Sequence, residues 1–318
     1  MANTVQTDLT AIAQTGRAPA APQVPIASPP RSVWETRVVI AIVLVVGLAL
    51  SSVVLLALRS SLPKTSLVGI GPATTLPGIG QYPLTVGIAN PAESSGMAPP
   101  GPNALAGYTR TYVTNFFGRS LPKGWEDFTG VPGGDPSGHF ASSHVVVANG
   151  LLRLNSWRDP HYANKWTTGG LCQCRHAFVY GAVFVRSRIT GPGTNEVALL
   201  WPRSNIWPPE IDFMETGKNA NSTSWTYHWG VKTDLFHQRT LYNFNLTKWN
   251  TWGVIWTPTS ITFLINGKSW GSFRYTPVIS NVPMTVDLEQ RPACSFGIIC
   301  TAAKQSLLVN WVAEYTRR

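Results

Sequence analysis

The 318-residue sequence predicts an all-β protein, a jelly-roll β-sandwich preceded by one transmembrane helix and a disordered tail. Three observations predict it. From about Tyr108 the chain consists of short β-branched and aromatic runs broken by Gly, Pro and Asn, and none has the length or 3.6-residue period of a long helix. Asn149-Gly150 and Asn266-Gly267 each separate two such runs, the signal of a tight hairpin. Residues 38–58, "VVIAIVLVVGLALSSVVLLAL", contain no charged side chain.

In chain order, residues 1–37 are rich in Ala, Pro, Thr and Gln with no apolar period, and read as a disordered tail. The run 38–58 would span about 31 Å as a helix, enough for the hydrocarbon core of a bilayer. A cleaved signal peptide is the rival reading, but its apolar stretch is shorter and nearer the start, and no A-x-A site follows this one closely. The run is therefore expected to stay as a single-pass anchor in the cell membrane. Its flanking charges, Arg31 and Arg37 before and Arg59 and Lys64 after, say little about orientation. Residues 59–107 are rich in Gly, Pro, Ser and Ala, the composition of a flexible linker.

Residues 108–318 are of a size that suits one all-β domain. "HVVVANGLLRLNSW" reads as a hairpin. "VYGAVFVRSRI" alternates, with Phe184, Arg186 and Arg188 on one face and Val183, Val185 and Ser187 on the other. "SLLVNWVAEY" reads as a closing strand. The whole chain carries a formal net charge of +10, which suits an anionic polymer, head group or cell wall. No lysine-rich run, helix-turn-helix pattern or zinc-finger spacing points to nucleic acid. Cys172-x-Cys174-x-His176 lacks the second pair that a zinc site needs, so the four Cys read as disulfide partners. Three pairings are open, among them a Cys294–Cys300 loop.

The stretch "WPPEIDFMETG" concentrates Glu210, Asp212 and Glu215 in a chain with only 15 acidic residues. On a strand, Glu210 and Asp212 share a face, and strict alternation would send Glu215 to the other. A β-bulge at Phe213-Met214 would return it to theirs. Three converging carboxylates suit cleavage of a glycosidic bond by paired acids, and equally a calcium site or a solvated strand edge.

At these residues the chain resembles glycoside hydrolase family 16, whose E-[IVL]-D-x-x-E signature "EIDFME" fits. Further likenesses follow in order: "DFTG", "GLLRLNS", "YGAVFVRSRI", "VALLWP", "YHWG", "WGVIWTPTSITFLINGK" and "LLVNWVAEY". The resemblance implies a concanavalin-like sandwich and an endo-acting retaining enzyme on β-1,3 or β-1,4 links of a polysaccharide outside the cytoplasm. Glu210 would be the nucleophile, Asp212 the assisting carboxylate and Glu215 the acid/base. Trp201, Trp207 and Trp229 would offer indole faces to sugar rings, and His228, Glu289 and Gln290 polar contacts. Trp252, Trp256 and Trp311 read as core. The family often carries a structural calcium with an Asp in the closing strand. Asn310 stands there instead, so no metal or other cofactor is expected. The expected state is a monomer. Two rivals share the fold: a transglycosylase and a non-catalytic, lectin-like module.

Overall fold

The computed structural model describes residues 79–217, 219–230, 233–292 and 304–318. The tail, the apolar run 38–58, the first part of the linker and the Cys294–Cys300 loop lie outside the described residues. Among the described residues, no helix is long and apolar enough to cross a membrane.

Two sheets face each other, as the short alternating runs predict. One has seven strands, in the order Leu235–Tyr242, Ser222–Trp229, Glu210–Thr216, Asn195–Pro202, Met284–Arg291, Gly170–Cys172 and Glu126–Asp127. The other has ten, centred on Gly181–Ile189 and the closing strand Gln305–Arg317. Asn149 and Gly150 both take positive φ, 54° and 68°, between strands paired as Ala148↔Leu151. Asn266 and Gly267 do the same at 49° and 75°. These are the left-handed backbone pairs that let a two-residue turn follow the twist of its strands.

The core lies between the sheets. Val183, Val185, Leu152, Leu154 and Val309 of the ten-stranded sheet meet Ile211, Phe213, Trp225, Val286 and Leu288 of the seven-stranded one. Trp225 lies flat on Phe263, with ring centroids 4.2 Å apart. Trp252 and Trp256 join this core, and Trp311 is buried in a second cluster with Phe184, Tyr315 and Leu105.

That second cluster corrects the expectation of a flexible linker through residue 107. From residue 79 onward the segment is folded and packs Val86, Leu105, Tyr82 and Ala104 onto the domain. Its own secondary structure is slight, a 3-10 turn at Pro83–Val86 and a two-residue strand pair. It is held instead by distant partners: Tyr82 N–H donates to Gly267 O at 2.7 Å, the Thr251 hydroxyl to Val86 O at 2.7 Å, and the Trp311 indole to Met97 O at 3.0 Å. The Cys172 and Cys174 sulfurs are joined to each other.

Candidate active site

The carboxylate strand is bulged where its spacing predicts. Along Glu210–Thr216, Ile211, Phe213 and Met214 are all in the inner core, so two consecutive residues point inward. Opposite them, Leu199 pairs with Asp212 and Ala198 with Met214, leaving Phe213 without a partner. On the other side the register shifts between Asp212 and Glu215. The extra residue returns Glu215 to the outer face of Glu210 and Asp212. There, His228, Thr226 and Ser224 stand opposite Glu210, Asp212 and Glu215. The same face continues through Leu199 and Val197 to Asp287 and Glu289, and Arg291 follows at the strand end.

Hydrogen bonds fix the acids individually. The Trp207 indole donates to Glu210 Oε2 at 2.6 Å. Ser224 Oγ lies 3.5 Å from Glu215 Oε2. Arg291 sits between two acids, 3.8 Å from Glu215 and 3.5 Å from Glu289. His228 is held through Nδ1 by Asp234, at 3.0 Å, while its Nε2 lies 3.6 Å from Asp212 Oδ2.

Burial pushes four carboxyls of this face upward. Burial, followed by repulsion from Glu210 and Glu215, holds Asp212 protonated well above the usual carboxylate range. Burial, with Glu289 next to it, does the same to Asp287, although the Thr285 hydroxyl donates to that group at 2.9 Å. Glu210 is raised by burial, a shift that the Trp207 N–H and His228 oppose. Glu289 is also raised by burial, against the pull of Arg291. Asp212 and Asp287 are pushed well up and Glu210 and Glu289 also raised, so the face holds carboxyls shifted by their surroundings, as acid/base work by two carboxyls requires.

The structure sorts the other sequence-predicted contacts. Trp207, 42% exposed, and His228 stand beside the carboxylates, their ring centroids 5.7 Å apart. Trp201 lies in the register of this face, opposite Thr285, and its indole donates to Asn205 Oδ1. Glu289 is on the face and faces Arg291. Trp229 and Gln290 are corrections. Each follows a cleft residue by one position, so the strand turns it to the inner side. Trp229 packs on Tyr227 and Phe273 there. Gln290 is buried and donates to Glu196 at 3.3 Å. Asp234, Asp287 and Arg291 escaped the sequence reading. The last two lie at two-residue spacing from Glu289, a signal that would have found them.

Metal chemistry can be weighed at two places. One ligand atom each of Glu210, Asp212 and His228 lies within 4.8 Å of the others, close enough for an ion. On the ten-stranded sheet, the Asn310 amide donates to Glu93 Oε2 and to Gly150 O, both at 3.1 Å, and its oxygen accepts from Ser95 Oγ at 2.5 Å. The amide thus takes the two acceptors that a cation would need, which does not fit a calcium there.

Residues 137–292 match the family described as glycosyl hydrolases family 16. No curated protein matches the chain significantly. Among solved structures, the endo-β-1,3-glucanase from Pyrococcus furiosus is similar at 17% identity and a TM-score of 0.57, over 66% of this chain and 95% of that one. The laminarinase from Flavobacterium sp. UMI-01 is similar at 17% identity and TM-score 0.58, over 65% and 100%. The laminarinase catalytic domain from Thermotoga maritima MSB8 gives 13% and 0.58, over 66% and 99%. At such identities the structures speak for the fold, and the family match, with the bulged carboxylate strand inside it, speaks for the chemistry: the chain is a glycoside hydrolase, similar to family 16 over residues 137–292.

Proposed function

We propose that the protein is a retaining endo-glycosidase that cleaves β-1,3 or β-1,4 links of a β-glucan outside the cytoplasm, as a monomer tethered to the membrane through residues 38–58. The observation that carries this reading is the bulge. It spends one residue of pairing solely to bring Glu215 to the face of Glu210 and Asp212. Glu210 is the nucleophile. Its carboxylate accepts from the Trp207 indole, which orients it and stabilises it again as a leaving group. Glu215 is the general acid and then the base, and Asp212 tunes the pair. The substrate class rests on those similar solved structures that are described as endo-β-1,3-glucanases, laminarinases and a non-specific endo-β-1,3(4)-glucanase. The exposed Trp207 indole beside Glu210 provides a face for a sugar ring. The domain works without calcium, because Asn310 occupies the acceptors of Glu93 and Gly150.

The test is digestion of a panel of β-1,3-, β-1,4- and mixed-linkage glucans, with the first products followed by proton NMR. Internal cleavage releasing the β-anomer before mutarotation is the expected result. First appearance of the α-anomer would end the retaining assignment, and transfer products growing with added acceptor would make the protein a transglycosylase.

A further inference from the structure

Glu215 is held more loosely by its carboxyl than Glu210. Its Oε2 lies 3.5 Å from Ser224 Oγ and its Oε1 3.8 Å from Arg291 Nη2, whereas the Trp207 indole reaches Glu210 at 2.6 Å. The aim of Glu215 therefore depends on where its backbone is fixed after the bulge. Pairing with the neighbouring strand Asn195–Pro202 ends at Val197↔Glu215. Beyond that rung, side chains take over. The Asn195 amide donates to Thr216 O at 2.7 Å. Glu196 N–H donates to Thr216 Oγ1 at 2.8 Å, and that hydroxyl donates to Glu196 Oε2 at 2.6 Å. Asn195 stands opposite Arg291, two residues from Val197 and so on the cleft face, where it is buried. Its Oδ1 accepts from Arg291 Nη2 at 3.2 Å, the same nitrogen that faces Glu215. Arg291 Nη1 is fixed by Gly133 O at 3.3 Å. Both ends of the Asn195 amide are used in the one sense its partners allow, N–H to a carbonyl and oxygen to a guanidinium.

We propose that Asn195 is a positioning residue for Glu215: it fixes the backbone behind that acid through Thr216 O and holds the guanidinium beside it through Arg291. The inference rests on the acid/base role proposed for Glu215. A one-residue slip after the bulge would turn Glu215 to the core face. Beyond Val197 no backbone pair between these two strands opposes such a slip, and the Asn195 amide supplies the missing rung. Arg291 is a long side chain with two acids within reach, Glu215 and Glu289. The bonds to Asn195 and Gly133 hold its plane, so that one N–H edge stays toward Glu215. A general acid acts only within hydrogen-bond reach of the oxygen it protonates, and a displacement of about 1 Å costs on the order of 100-fold in rate.

Asn195 variants of the full chain, assayed on two substrates, test this. Glucan has a leaving group that needs protonation; a dinitrophenyl β-glycoside of the disaccharide released from the glucan has one that does not. The measure is kcat/KM, which covers the steps up to departure of the leaving group. Asn195→Leu keeps the size and loses both hydrogen bonds. It should lower kcat/KM for glucan at least tenfold and that for the dinitrophenyl glycoside less than threefold. Asn195→Asp keeps the acceptor for Arg291 and loses the donor to Thr216 O, and should show the same selective loss. An unchanged rate on glucan, or equal losses on both substrates, overturns the proposal, since damage to the sheet or to sugar binding acts on both. If Asn195→Leu does not fold, Asn195→Asp is read alone by the same outcomes. Failure of both to fold also overturns it, because Asn195 would then support the sheet as a whole. Glu215→Ala is the reference. If it loses both substrates equally, or neither, the acid/base assignment falls and this inference with it. If it shows the selective loss and the Asn195 variants do not, this inference alone falls.

Discussion

At the scale of single residues, the molecule shows how much depends on strand parity. Glu289 and Gln290 are neighbours in sequence, yet one faces the cleft and the other the core. Composition cannot separate them, whereas a count by two from the carboxylates can. Gln290 belongs to a buried cluster around Glu196, which accepts from the hydroxyls of Thr194 and Thr216. Burial raises the Glu196 carboxyl to about 7, with those hydrogen bonds opposing the shift. The group is 0% exposed and far from screening water. A carboxyl raised in the folded state contributes stability that is fully present below its unfolded value, near 4.5, and is lost as the pH rises through about 7. Over that window the loss is about 3 kcal/mol. Glu196→Gln keeps the shape of the protonated acid and should remove most of this dependence. Denaturant midpoints from pH 5 to pH 9 would show it, and parallel pH curves for the two proteins would contradict it.

At the scale of elements, two bulges do the placing. The one at Phe213 was legible, because two carboxylates two apart and a third three apart have only one strand solution that brings all to one face. The second was not. Between Arg186 and Ser187 the pairing with the closing strand skips Asn310, which turns toward the segment before residue 108. Its partners Glu93 and Ser95 lie more than 200 residues away in the chain, and nothing local announces them. This also explains why a Pro- and Gly-rich stretch read as a linker: its backbone is satisfied by distant groups. Because the Asn310 amide donates to Glu93 and to Gly150 O, chelator is expected to leave the thermal midpoint of the protein unchanged within about 2 °C, on the order of 1 kcal/mol or less. A fall of many degrees, reversed by added calcium, would show that the amide yields to an ion.

At the scale of the whole molecule, the chain joins a glycoside hydrolase domain to an apolar run long enough to span a bilayer. The general two-sheet plan followed from the sequence because alternation, hairpin turns and buried Trp all pointed the same way. On the proposed topology, protease added to intact cells should remove the domain, and protection until lysis would contradict it. The central claim, however, concerns the division of labour between two glutamates on one bulged strand. It is tested most directly by azide rescue. On the proposed roles, Glu215→Ala lacks the acid/base but keeps the nucleophile, so with an activated aryl β-glycoside, azide should give the β-glycosyl azide, with retained configuration. On the same roles, Glu210→Ala lacks the nucleophile, so azide should attack the sugar itself and give the α-glycosyl azide. If the two products are exchanged, the roles of Glu210 and Glu215 are reversed. If both variants cleave glucan at the unsubstituted rate, the carboxylate strand is not the active site.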